Sequence, residues 1–210
     1  MARILKVRPT KIELVRLKRR LSLAQRVQKI VKDRLSIITM EFLQIARECV
    51  TAKERLLSDF SDNYQALSVA VGYHGPIALE KEIIAAEGDV KILTGSRNIA
   101  GVRTPHLEMA ESAKSAAMGY SLADTSSWLD KSVEYSQKCL ETIVELAELQ
   151  RSLELLGMEI ARAKRITNAL EYVLIPGLLA TIKYLNMKFE EREREEKSRL
   201  KRVKVLLERR

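Results

Sequence analysis

The chain has few of the residues from which compact globular domains are built. Among its 210 residues, aromatics make up only 5%, and there are 8 glycines and 4 prolines. Globular cores normally use more aromatic side chains, and compact folds need more turns. Leu, Ile, Ala, Glu, Lys and Arg predominate instead, and charged residues reach 31%. This composition favours long helices and coiled coils.

A long apolar run is also missing. A helix that spans a membrane needs about 18 or more consecutive apolar residues, and the sequence contains no such run. Residues 1–9 are basic and lack the apolar stretch and the small-residue cleavage site of a signal peptide. We therefore expect a cytosolic chain that does not insert directly into a membrane.

The sequence contains no recognisable catalytic apparatus. There is no P-loop and no GxGxxG motif. Cys49, Cys139, His74 and His106 show none of the short spacings of metal ligands. No Ser, Cys or Lys nucleophile has a credible histidine partner, and the cysteines are best interpreted as small hydrophobic residues. We expect no catalytic residue, no cofactor site and no metal site.

A first long helix is predicted between Thr10 and Gly72. Thr10 and Glu13 have the spacing of a capping box, and Gly75 with Pro76 indicates the stop. Apolar residues follow one another at alternating spacings of three and four, a period of 3.5 that requires a partner helix in a left-handed coiled coil. The predicted core positions of this helix are Leu14, Leu17, Leu21, Val31, Leu35, Ile38, Phe42 and Ile45.

The hydrophobic seam of this helix, meaning its line of core positions, changes after Leu56. The next apolar residues at helical spacing are Phe60, Tyr64, Leu67 and Val71, one residue out of step with the seam before them. Such a skip unwinds a supercoil locally. We therefore predict a shift of the seam at this point.

The middle of the chain is predicted to leave the helical pattern. Residues 72–120 hold six of the eight glycines, and residues 89–94 and 98–103 are short β-prone runs around Gly95 and Ser96. These features indicate a β-hairpin, with an irregular loop as the alternative.

A second long helix is predicted to begin near residues 124–127, a cluster of good N-cap residues. Its seam again alternates between spacings of three and four and ends at Leu174. Pro176 interrupts the helix, where it removes one hydrogen bond and bends the rod. The predicted core positions of this helix are Leu149, Leu153, Leu156, Ile160 and Leu170.

Two long helices with narrow apolar seams most simply pack against each other. We predict an all-α fold: a long antiparallel, left-handed, two-helix coiled coil with a small β-hairpin segment at the end opposite the termini. The predicted divisions are residues 1–72 for the first helix, 73–123 for the central loop and hairpin, and 124–210 for the second helix with its bend at Pro176.

Basic residues concentrate at both ends of the chain. Residues 1–34 hold 12 Lys or Arg against 2 Asp or Glu, and residues 197–210 hold 7 against 1. Antiparallel helices would bring both ends to one basic tip, which could bind nucleic acid phosphates or a protein surface. Single-strand binders usually add aromatics for base stacking, and neither end has them, so the protein surface is favoured. The candidate contact residues are Arg16, Lys18, Arg19, Arg20, Arg199, Lys201 and Arg202.

Several segments together resemble the D subunit of archaeal and vacuolar-type rotary ATPases. The opening, residues 9–21, reads PTKIELVRLKRRL, and residues 98–102, with Pro105, resemble the central hairpin of that family. Residues 120–125 read YSLADT, and the most specific segment, residues 165–176, reads RITNALEYVLIP. The matches run in order along nearly the whole chain. One departure is residues 26–32, RVQKIVK, where the family more often has a Gly-His pair.

The resemblance implies a non-catalytic rotor shaft that transmits torque between the ion-driven membrane rotor and the catalytic ring during ATP synthesis and ion transport. Its implied partners are the catalytic and regulatory A and B subunits of the ring, the small F subunit, and the C subunit, which lies at the foot. It would sit peripherally at the cytoplasmic face of the membrane. No nucleic acid partner is implied; the alternative is a basic-tipped coiled-coil scaffold or nucleic-acid-binding protein.

Overall fold

The computed structural model describes residues 7–85, 90–110 and 126–208. The chain is all-α apart from one two-stranded hairpin, which confirms the predicted fold class. The elements are α1 (Lys11–His74), α2 (Pro76–Ala85), β1 (Ile92–Ile99), β2 (Val102–Met109), α3 (Ser127–Ala169), a π-helical segment (Leu170–Leu174) and α4 (Ile175–Glu208).

Both ends of α1 are set by identifiable residues. At the start, the Glu13 N–H donates to Oγ1 of Thr10 at 3.3 Å, which is half of the predicted capping box. At the end, Gly75 has φ of 73° and its N–H donates to the Val71 carbonyl at 2.9 Å. A left-handed residue that satisfies a late carbonyl is a common helix stop, so α1 ends two residues beyond the predicted Gly72.

The short helix α2 was not predicted. Pro76 is its first residue, where the missing N–H costs nothing and the fixed φ already suits a helix. The prediction took Pro76 only as a helix stop, although the same residue also begins the next helix. Among the residues predicted to precede the second long helix, Asp124 and Thr125 lie outside the described residues.

The chain divides into two compact units. The first comprises residues 1–36 and 161–210, and the second comprises residues 37–160. In the first unit, Leu17 and Ala24 of α1 pack with Leu178 and Leu185 of α4 in one buried cluster. The helices run antiparallel here, because Arg192 donates to the Pro9 carbonyl whereas the later residue Gln28 contacts the earlier residue Glu171.

In the second unit, α1 and α3 also pair antiparallel. A Cβ placed on Gly157 would lie 3.8 Å from the Phe42 ring, and the Asn63 side-chain amide donates to Oγ of Ser136 at 2.9 Å. The central cluster of this unit comprises Ile38, Ile45, Leu156 and, from the hairpin, Val102.

The predicted core residues all lie buried or half-buried, in the two units taken separately. Leu17, Ile38 and Leu156 are almost fully buried, at 1%, 0% and 0% exposure. Leu174, the last residue of the predicted seam of the second long helix, is instead 45% exposed. The π-helical segment accounts for this difference, as described below.

The predicted shift of the first seam after Leu56 is wrong. Phe60 and Tyr64 are 47% and 75% exposed, and the inward positions continue without a skip through Asp59, Asn63, Ala66 and Ala70. Polar Asn63 is accommodated because it accepts a hydrogen bond from buried Ser132 at 3.0 Å and donates one to Ser136. Cross-helix hydrogen bonds make a buried polar position tolerable.

The β-hairpin is present, but its turn lies further along the chain than predicted. Ile99 pairs with Val102, and the turn residues Ala100 and Gly101 have φ of 50° and 84°. Two consecutive residues with positive φ form the tight turn that matches strand twist. Gly95, predicted to lie at the turn, is instead a strand residue opposite His106.

Candidate functional site

The first candidate feature is a basic band on α1 around Leu17. Because Leu14, Leu17 and Leu21 occupy the inner face, the basic residues among them are exposed. The Arg16 guanidinium lies 2.7 Å from the Glu13 carboxylate, with 64% of the Arg16 side chain exposed. An exposed ion pair of this kind contributes at most about 1 kcal/mol to stability. The Arg16 guanidinium therefore still forms part of the basic surface of the band. Its members are Arg16, Lys18, Arg19 and Arg20.

The second candidate feature is the C-terminal tail of α4, defined as residues 193–208. Every described residue from 190 to 208 is exposed. The Arg192 guanidinium reaches the Pro9 carbonyl at 3.3 Å, just before the tail begins. The tail carries Arg199, Lys201 and Arg202.

The structure does not bring the basic band on α1 and the basic residues of the tail to the same level of the first unit. The α1 band lies at the level of Leu178 and Leu185, because Leu17 packs in one cluster with both. Arg199 follows Leu185 by fourteen residues, which is about 21 Å along a helix. The first unit therefore presents two basic bands in succession along its helices.

Sequence reasoning missed an apolar stripe on the tail. Leu200, Val203 and Leu207 are 68%, 51% and 69% exposed and follow at spacings of three and four. That spacing places them on one helical face. The signal was present in the sequence, hidden among the basic residues that dominate this stretch. Val205 and Leu206 are also exposed but lie on other faces. An exposed apolar stripe is suited to a protein partner.

The helix around Pro176 accommodates one extra residue. The Ile175 N–H donates to the Leu170 carbonyl, a π-type bond spanning five residues. The inward positions step by five from Leu170 to Ile175 and then resume with buried Leu178. The insertion moves Leu174 outward. Pro176 lies two residues beyond the end of the π-helical segment, and its effect on the axis stays a prediction.

A cluster centred on His106 attaches the hairpin to α3. Its Nδ1 lies 3.0 Å from Oε2 of Glu148, and its Nε2 lies 3.0 Å from Oε1 of Glu108. The Leu107 N–H also donates to Oε2 of Glu148 at 2.8 Å. The hydrogen bond to Glu148, followed by that to Glu108, raises the pKa of His106 above its ordinary value. We call these three side chains the hairpin clasp.

The hairpin clasp predicts a pH dependence. Because the folded-state pKa of His106 is raised, the attraction to Glu148 is complete below pH 6.5 and is lost as the pH rises through the raised value. The opposite residue on β1 is Gly95, which carries no charge. We expect the hydrogen-exchange protection factor of the Leu107 amide to fall over that range. In His106→Gln the protection factor of the Leu107 amide should not change with pH. If the variant shows the same fall with rising pH as the unsubstituted chain, the assignment to His106 is refuted.

The cysteines lie on the paired helices of the second unit. Cys139 is buried, and burial raises the pKa of its thiol, which keeps it neutral. Neutral buried thiols are poor nucleophiles and poor metal ligands. Within the described ranges, no group of three or more His, Cys, Asp or Glu side chains could hold a metal ion. The described helices also include none that is long and apolar enough to cross a bilayer.

Comparison with known proteins matches almost the whole chain to a single protein family. The family model for the D subunit of ATP synthase matches residues 13–205. The chain belongs to this family. The D subunit of A-type ATP synthase from Pyrococcus furiosus is 40% identical over 209 residues, which cover 99% of this chain and 98% of the relative. The protein of the same name from Methanopyrus kandleri is 36% identical over 203 residues, covering 97% and 88%.

Residues 26–32 of α1 contact the second long helix locally. The Lys32 ammonium lies 2.9 Å from Oε2 of Glu171, and Gln28 donates to the same oxygen at 3.3 Å. The bond to Lys32 lowers the pKa of the Glu171 carboxyl. Glu171 lies in the π-helical segment, so Gln28 and Lys32 contact the second long helix at its insertion.

Proposed function

We propose that this chain is the central stalk of an A-type ATP synthase, transmitting torque between an ion-driven membrane rotor and the catalytic ring. One observation carries the proposal: family membership over residues 13–205 coincides with paired antiparallel helices in each unit. A stalk must resist twisting, and two helices packed along a seam are stiffer than one. The chain itself performs no catalysis in this role.

The ring of A and B subunits is the proposed partner of the two basic bands. Long, exposed Arg and Lys side chains make adaptable contacts that a rotating surface can exchange. The tail adds Leu200, Val203 and Leu207, which would lie against an apolar surface of the A and B subunits. Torque follows if each orientation of an asymmetric stalk favours one state of a catalytic interface, which is a population shift driven by differential contact.

The F and C subunits complete the proposed assembly. We place the F subunit on the second unit, at exposed faces near residues 70–152, and the C subunit at the foot of the stalk. With these partners the chain would be a peripheral component at the cytoplasmic face of the membrane. Nucleic acid is not a proposed partner.

Reconstitution tests the proposal directly. The catalytic ring would be assembled with and without this chain, and rotation-coupled ATP hydrolysis measured. We expect coupled hydrolysis only with the chain present. A chain that binds DNA or RNA with an affinity falling steeply with salt, and that leaves the ring unaffected, would support the scaffold or nucleic-acid alternative.

Pro176 is proposed to set an asymmetric bend in the stalk. We expect Pro176→Ala to straighten the helix. Alanine restores a backbone N–H donor and removes the steric clash between the pyrrolidine ring of proline and the preceding turn. The ratio of rotation to ATP hydrolysed should then fall. Leu179→Ala, at a position 49% exposed in the next turn, is the matched control. Equal coupling in Pro176→Ala and the control would exclude a role for the bend.

A further inference from the structure

A small cavity lies between the hairpin and the paired helices of the second unit. Residues of α1, of α3 and of both hairpin strands line it. Its volume is about 100 Å³, well above the roughly 10–15 Å³ that one water molecule needs, so a ligand of a few non-hydrogen atoms fits. We call it the hairpin cavity. Neither the packing of the core nor the proposed stalk function uses it.

The lining of the hairpin cavity is acidic. Glu41 and Glu48 of α1 and Glu148 of α3 contribute three carboxylates, whereas Arg97 of β1 contributes the one guanidinium among the lining residues. Carboxylates held around one cavity repel each other, and the repulsion grows where water is partly excluded. The charge of the lining therefore favours a cation over an anion as ligand.

Several polar groups of the lining are already hydrogen-bonded within the chain. Glu148 belongs to the hairpin clasp. The Gln44 side-chain amide donates to Oε1 of Glu48 at 3.1 Å, and the Thr104 hydroxyl donates to a backbone carbonyl of β1 at 3.1 Å. These bonds fix the walls of the cavity and leave fewer groups for a ligand.

Ser152 of α3 is the polar group that the fold leaves unused. It is 4% exposed and lines the cavity, yet its hydroxyl makes no hydrogen bond within the described part of the chain. The Glu41 carboxylate likewise has no hydrogen-bond or ion-pair partner among the described residues. Buried polar groups normally have a partner, so a nearly buried, unpartnered hydroxyl in a polar cavity points to a ligand.

The geometry of the carboxylates decides which kind of cation fits. A hard metal ion needs its oxygen ligands within about 2.0–2.6 Å, and no three His, Cys, Asp or Glu side chains of the described ranges could hold one. A cation that binds through its own N–H groups reaches further, because a charge-assisted hydrogen bond spans about 2.7–2.9 Å. A primary ammonium group has three donors and no acceptor, which suits the unused oxygens of Glu41 and Ser152.

Apolar side chains complete the lining and indicate a carbon-bearing ligand. Ile45, Ile99 and Leu149 line the cavity and belong to the central cluster of the second unit. They offer contacts to CH₂ groups and none to the water shell of an inorganic ion. We propose that the hairpin cavity binds a short primary alkylammonium group, whose nitrogen donates to Glu41 and Ser152 while its carbon atoms contact the apolar wall.

A titration of the full chain with ethylammonium chloride at constant ionic strength tests this proposal. Isoleucine methyl groups would be labelled with ¹³C and followed by NMR. We expect saturable shifts at Ile45 and Ile99 and none at Ile12, which is 67% exposed in the first unit. Tetramethylammonium carries the same charge without an N–H and should cause no shift. Unresponsive Ile45 and Ile99 methyls, or equal shifts with tetramethylammonium, would each overturn the proposal.

Substitutions in the lining assign the contacts. Ser152→Ala and Glu41→Gln should each raise the Kd for ethylammonium at least about tenfold, because each removes a hydrogen bond to a charged group. Glu54→Gln, exposed on α1 and outside the lining, is the matched control. Arg97→Gln should lower the Kd, because it removes a like charge from the cavity. An unchanged Kd in Ser152→Ala, or a raised Kd in Arg97→Gln, contradicts an ammonium ligand at this position.

A lysine side chain ends in the same group, so the titration is repeated on the labelled chain in the assembled ATPase. Shifts on addition of ethylammonium identify a free amine as the ligand. Methyl groups of Ile45 and Ile99 that already have their amine-bound shifts identify a lysine of a neighbouring protein. Unbound shifts that do not respond argue against the site in the assembly. Coupled ATP hydrolysis is scored separately, so the cavity and the stalk function can fail independently.

Discussion

Replacing Leu156 with alanine is expected to lower the free energy of unfolding by about 2–5 kcal/mol, the usual cost of truncating a fully buried leucine. Leu156 is 0% exposed and packs with Ile38 and Ile45 of α1 and with Val102 of the hairpin. Three elements therefore border the cavity that the substitution leaves. Urea unfolding followed by far-UV circular dichroism measures the change.

The matched control is Met158→Ala, two residues further along α3. Met158 is 56% exposed, so its truncation should change the free energy of unfolding by no more than about 0.5 kcal/mol. Because Val102 borders the same cavity as Leu156, Leu156→Ala should also increase hydrogen exchange in the hairpin. Equal midpoints for the two variants would mean that Leu156 is not a central core residue.

Long-range periodicity made the helices predictable from the sequence. A 3.5-residue period sustained from Leu14 to Leu56 specifies both a helix and a helical partner, because no other structure keeps such positions on one face. The burial of Leu17 and Ile38 follows from that pattern, and the burial of Leu156 follows from the matching period of the second long helix.

The same criterion failed where the core is polar. Asp59 and Asn63 hold seam positions, but an apolar pattern search passes over them and selects Phe60 and Tyr64. An apolar sequence pattern occurs on any face that becomes buried, whether within the fold or in a complex with another protein. Asn63 accepts a hydrogen bond from Ser132 and donates one to Ser136, and both bonds depend on the partner helix.

Local features were predicted less well. Gly95 and Ser96 have turn composition, yet the turn forms at Ala100 and Gly101, because the strand register places Ile99 and Val102 against the central cluster. Likewise, Pro176 indicated a disturbed helix, but not that the helix absorbs an extra residue through a π-type bond. Both outcomes depend on tertiary packing.

The candidate contact residues were predicted from the charge distribution, whereas their separation along the first unit depends on the register of the paired helices. The clusters of Lys and Arg near each terminus are evident from the sequence. Their separation along the first unit follows from the level at which Leu17 meets Leu185, which the composition does not contain.

Removing residues 193–210, which include the tail, is expected to abolish coupled ATP hydrolysis in the reconstituted ring while leaving the stability of the paired helices nearly unchanged. Every described residue in that stretch is exposed, so its loss removes no described core contact. Burying a Leu or Val side chain in a partner contributes about 1.5–3 kcal/mol. Losing three such residues would weaken ring binding by well over about tenfold. Ring assembly and the melting temperature are measured on the same preparation.

Two substituted tails distinguish the apolar stripe from the charges. Leu200→Ser combined with Leu207→Ser should reproduce most of the truncation defect at every salt concentration, because apolar burial is insensitive to screening. Arg199→Glu combined with Arg202→Glu should give a smaller defect that salt reduces further, since exposed charges are screened over about 10 Å at 0.1 M. If the serine tail supports full coupling, the stripe is not the binding element, and the tail acts through its charges.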